Sequence, residues 1–118
     1  MKHNMRSVES GHRYGVSHQF HGQAFKLPSG MPVKFRGVDV SRYGLGCVIN
    51  GLVSNRDVLV INIGGMDVHF EVMWVESHLG IENTFRVGLQ CIDRMVDIRH
   101  KLMGLGMVTT PLEDEFVA

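Results

Sequence analysis

Asp39, Ser41 and Gly44 stand in the spacing D-x-S-x-x-G. A carboxylate at the first position can hold an arginine or accept a hydrogen bond from the edge of a guanine. The hydroxyl adds a short, adaptable contact. The glycine supplies a backbone conformation that other residues resist. The same residue types also suit an Asx-type turn between two strands. Arginine is the natural counterpart for such a set, because its guanidinium is planar and always charged. It can fork onto guanine O6 and N7, stack on a base, or pair with phosphate. Arg6 and Arg13 precede the motif and Arg42 lies within it.

The remaining reactive side chains point to bland roles. Ser41 has no histidine close in sequence to act as a base, and no phosphate-cradling glycine loop is present, so no enzymatic constellation is expected. Cys47 and Cys91 lie far apart in apolar segments and read as buried free thiols. His12, His18 and His21 have no carboxylate or cysteine at ligand spacing beside them, so a solvated leader is favoured over a metal site. Trp74 alternates with Phe70 and Val72, a spacing that predicts core packing over a ligand platform.

These residues need a scaffold, and the chain is long enough for one. Its 118 residues suit a single domain, and 44% apolar with 20% charged residues is a globular composition. Twelve basic residues balance twelve acidic ones, which argues against DNA or RNA as a partner. No apolar run is long enough for a membrane span, and the polar N-terminus lacks the apolar stretch of a signal peptide, so a cytoplasmic location is expected. Residues 1–19 read as a flexible leader, 20–104 as the folded domain and 105–118 as a loose, acidic tail. Strands are predicted at 20–27, 32–41, 45–49, 57–63, 66–76 and 84–91, with Gly37 marking a bulge or bend and Gly64-Gly65 a hairpin. One helix is predicted over 93–103. Asp93 caps it, Met95, Ile98 and Leu102 form its apolar stripe, Gly104 ends it, and Asp97 pairs with Lys101. Short strands at regular spacing with a closing helix predict an all-β fold and suggest a six-stranded antiparallel barrel with one C-terminal α-helix, with a sandwich left open by the pattern alone.

From about Arg13 to Leu102 the chain resembles the PilZ family of bacterial domains. The resemblance rests on VDVSRYGLGCVI at the junction of the second and third strands. It rests also on FEVMWVESHLGIENTFRVGLQCID, similar to that family's long hairpin and Val-Gly strand. It implies a regulatory module for second-messenger signalling that binds cyclic di-GMP and signals through a protein partner, with no cofactor. The ligand would meet Asp39, Ser41 and Gly44 on one side and an R-x-x-x-R motif of the leader on the other. Aligned on SHQFHGQAFKL, that motif becomes R-x-x-x-S, with Arg13 at its first position and Ser17 at its second. Arg6 and Arg42 remain for phosphate contacts. The ligand is expected to bridge Arg13 to Asp39 and Ser41 as the leader folds over the barrel. A degenerate adaptor that binds a protein partner without nucleotide, as in pilus assembly or motility, is the alternative.

Overall fold

The computed structural model describes residues 13–111, with side chains to residue 109. Eight strands and one helix follow in order: β1 (Tyr14–Val16), β2 (His21–Leu27), β3 (Met31–Val40), β4 (Gly44–Asn50), β5 (Val58–Ile63), β6 (Met66–Ser77), β7 (Thr84–Cys91), α1 (Ile98–Gly104) and β8 (Val108–Pro111). Six of them close a barrel in the order β2-β5-β6-β7-β4-β3, with β3 pairing back onto β2. Every pairing is antiparallel. The all-β barrel with one C-terminal helix is therefore the architecture. It arises from period-2 patterning: Leu45, Cys47 and Ile49 of β4, Leu59, Ile61 and Ile63 of β5, and Val87 and Leu89 of β7 all point into one dry interior.

Two bulges reset that alternation. In β3, Val33, Phe35 and Gly37 face inward, and a bulge between Gly37 and Asp39 then makes Val40 the next inward residue. In β6, Val68, Phe70 and Val72 face inward, and a bulge between Val72 and Trp74 hands the inward position to Val75. A bulge adds one residue to one strand, so everything beyond it changes face. Asp39 and Trp74 are thereby turned to the outside of the barrel.

Both termini of the described chain carry a strand that the sequence pattern does not predict. β1 lies within the stretch 1–19 that reads as a leader, and β8 within the tail from 105. The far half of β3 pairs with β1, Tyr14 against Val40 and Gly15 against Asp39, and β1 pairs in turn with β8. The composition of 13–17 hides this, because only Val16 of that short strand is buried in the core, with Tyr14 packed partly against it. The expected mobility of residues 1–12 lies outside the described residues.

The helix is shorter than its predicted span and starts later. Asp97, not Asp93, is the N-cap, and its side chain accepts a hydrogen bond from the His100 N–H. Asp93 instead accepts from the Met95 N–H at 2.9 Å, which commits 93–96 to a turn of their own. The Ile98 N–H donates to the Arg42 carbonyl and fixes the first turn against the β3–β4 connection. Ile98 and Leu102 are fully buried, whereas Met95 is 92% exposed and leaves the apolar stripe. Asp97 pairs with Arg42 at 3.5 Å, not with Lys101. At the far end the left-handed residue is Gly106, with φ of 72°, and Gly104 is the last helical residue. No helix of the described residues is long and apolar enough to cross a membrane.

Candidate functional site

The turn that joins β3 to β4 is built by the motif itself. The Ser41 N–H donates to the Gly44 carbonyl at 2.8 Å, and the Gly44 N–H donates to Ser41 Oγ at 3.1 Å. The Cys91 N–H donates to the Tyr43 carbonyl at 2.7 Å, which ties the turn to the end of β7. Ser41 is thus both a turn former and, through its second lone pair, an acceptor turned toward β1. Asp39, on the outward side of the β3 bulge, lies opposite Gly46 of β4.

Arg13 completes this arrangement. Its NH2 group is 2.5 Å from Asp39 Oδ1 and its NH1 group donates to Ser41 Oγ at 3.1 Å. Arg13 is only 5% exposed and Asp39 9%, so the pair is desolvated and its geometry is held by packing as well as by charge. The contact is direct, with no group between the guanidinium and its two acceptors. The structure therefore brings together Arg13, Asp39, Ser41 and Gly44.

It places the other candidates elsewhere. Ser17 sits past the end of β1, where its N–H donates to the Met107 carbonyl at 2.7 Å and its Oγ accepts from the Gln19 N–H at 3.1 Å. It is a turn residue tied to the segment before β8. Arg42 is exposed, 3.5 Å from Asp97, and shares the ring of Tyr43 with Arg94, the two guanidinium carbons lying 5.4 and 4.9 Å from its centroid. Arg6 lies outside the described residues. His18 and His21 are exposed, and no metal-ligating cluster occurs among the described residues.

Two residues that sequence reasoning did not assign to the site stand beside it. The Arg86 NH2 group is 3.1 Å from Asp39 Oδ2, so one carboxylate is held by two guanidiniums. Trp74, expected in the core, lies on the outer face over Gly88, where an added Cβ would come within 2.1 Å of its indole Nε1. The Arg86 guanidinium carbon is 5.7 Å from the Trp74 ring centroid. A register of facing positions runs across the strands: Gly15 on β1, Asp39 on β3, Gly46 on β4, Gly88 on β7 and Trp74 on β6. Three of the five are glycines, and the side chains of Asp39, Arg86 and Trp74 lie down over Gly46 and Gly88 against the backbone. A lone glycine inside a strand signals close approach by another group, and Gly46 and Gly88 carried that signal in the sequence.

The two buried thiols are inert by position. Burial pushes the Cys47 thiol up to about 12, with Arg86 pulling weakly the other way. Burial also raises Cys91, and its S–H donates to the Asp93 carbonyl. Neither presents an accessible thiolate near neutral pH. Comparison of the chain with protein-family models, with curated proteins and with solved structures gives no match.

Proposed function

We propose that this chain is a PilZ-like regulatory module that binds cyclic di-GMP at the outer face of the barrel and signals through a protein partner. The observation that carries this reading is the fork of Arg13 on Asp39 and Ser41, inside a turn closed by Ser41 and Gly44. A guanidinium fixed by a carboxylate and a hydroxyl is pre-organised, so little rotamer entropy remains to be lost when a phosphate or a guanine edge arrives. In this reading Asp39 and Ser41 aim Arg13, and the ligand meets the aimed side chain instead of bridging it to them. Calorimetric titration of the full chain with cyclic di-GMP tests it. Binding selective over GMP is expected, and weaker binding in Ser41→Ala. No heat and no NMR shift at residues 39–44 at about 1 mM ligand, a concentration that detects even the weakest specific complexes, overturns it.

The adaptor alternative is favoured by one observation of its own. Arg13 is almost fully buried and already engaged by Asp39 and Ser41, so the motif also makes sense as a clasp that ties β1 to the barrel. A clasp needs no nucleotide, and the module would then act by protein–protein contact alone. The same titration separates the two.

A further inference from the structure

We infer that Arg86, backed by Trp74, is the second guanidinium of this binding surface and receives a guanine base, in place of the arginine that the leader lacks at Ser17. The inference rests on the nucleotide-binding reading above and adds to it a subsite on β7 and β6.

The geometry that points there is the glycine row, which lets Asp39, Arg86 and Trp74 lie flat on the barrel wall. Adjacent strands lie about 4.8 Å apart, so the row from Asp39 on β3 to Trp74 on β6 spans roughly 14 Å of the barrel wall. Only Asp39 and Trp74 contribute side chains to it, and Arg86, two residues before Gly88, fills the space between them. The Arg86 NH2 group is anchored on Asp39 Oδ2 at 3.1 Å. Its NH1 group donates to the Val87 carbonyl at 3.3 Å and lies 2.9 Å from where a Cβ of Gly46 would be. Its guanidinium carbon is 5.7 Å from the Trp74 ring. A side chain at 46 would crowd Asp39 and this guanidinium, and one at 88 would displace the indole behind it.

A guanidinium held at both edges and backed by an indole presents an ordered cationic plane. Its side chain retains 24% exposure, so it stays within reach of a ligand. Nucleobases stack on arginine planes and on aromatic rings, and a guanine offers O6 and N7 to an arginine fork. Arg13 and Arg86 approach one carboxylate from opposite sides, Arg13 from β1 and Arg86 from β7. The surface thus has two arginines without the leader's second one. Ser17, hydrogen-bonded into its own turn beyond β1, contributes to neither. Sharing of Asp39 fixes the spacing of the two cations, which suits a ligand carrying two purines and two phosphates better than a mononucleotide.

Trp74 is the single tryptophan of the chain, so its fluorescence reports this subsite alone. The experiment titrates the wild-type chain with cyclic di-GMP, reading heat and Trp74 emission together, and repeats it for R86K and R86Q, with R36Q as an off-site control and GMP as a control ligand. R86K keeps a cation for Asp39 but loses the plane, and so separates stacking from charge should R86Q be unstable. The expected result is a saturable Trp74 change that tracks the heat, a tenfold or greater loss of affinity in R86K with unchanged melting temperature, and little change in R36Q. Heat without any Trp74 response, with R86K binding as wild type, overturns the subsite and leaves the nucleotide reading standing. Absence of heat in the wild type overturns both. Equal losses in R86K and R36Q show general electrostatics and also overturn it.

Discussion

At the scale of single residues, Asp39 decides the most. It accepts from Arg13 and Arg86 at once and is nearly buried, so its loss removes a carboxylate that two guanidiniums share. Removing one partner of a buried ion pair is strongly destabilising. Asp39→Ala is therefore expected to cost about 3–5 kcal/mol in denaturant unfolding, and a cost below about 1 kcal/mol would show that the pair is exposed in solution. A binding defect in that variant then has to be read beside its stability, which is why Ser41→Ala and R86K carry the ligand tests. Gly88 matters through what lies on it. Its Cβ position falls within 2.8 Å of three indole atoms, so Gly88→Ala must displace Trp74. A changed emission maximum is the expected outcome, and unchanged emission would mean that the indole does not rest on β7.

At the scale of elements, the two bulges and the helix carry the lessons. Glycine at 37 announced a break in β3, and the bulge lies there. No comparable signal preceded the bulge in β6, where Val72, Met73 and Trp74 continue an apolar run; only the partner strand, with Gly88 facing Trp74, shows the shift. Strict alternation therefore sent Trp74 inside. In the helix two aspartates competed for one cap, and the carbonyl of Arg42 settled the matter by accepting from Ile98. A test follows from this start. Ile98→Ala and Leu102→Ala remove fully buried side chains and are expected to cost about 2–5 kcal/mol each, whereas Met95→Ala, at an exposed position, is expected to stay within about 0.5 kcal/mol. Thermal or chemical unfolding of the three variants would show it. A Met95→Ala cost equal to that of Ile98→Ala would restore the longer helix.

At the scale of the whole molecule, closure of the barrel buries Cys47 completely and sets a pH limit on stability. The folded thiol holds its proton to about 12, while the unfolded one loses it near 9.0. The folded state thus binds that proton more tightly, so the stabilisation is complete below pH 9 and disappears as pH rises toward 12. Between those values the stability of the wild type is expected to fall more steeply than that of Cys47→Ala, and parallel curves would show that Cys47 reaches solvent. What the sequence alone determined was local: strands where valine, isoleucine and phenylalanine alternate, turns at glycine pairs, one C-terminal helix that buries Ile98 and Leu102, and D-x-S-x-x-G as the turn between β3 and β4. Those follow from backbone sterics and side-chain period, which neighbours in the chain express fully. The expectation of nucleotide binding rests on the motif and awaits titration. Only the tertiary structure decided that β1 and β8 join the sheet, that Arg13 rests directly on Asp39, and that Arg86 and Trp74 share its surface. Arg86 is 47 residues from Asp39 along the chain, and no local pattern can record which strand will lie beside which. Register across the barrel, shifted by one residue at each of two bulges, chose which side chains meet.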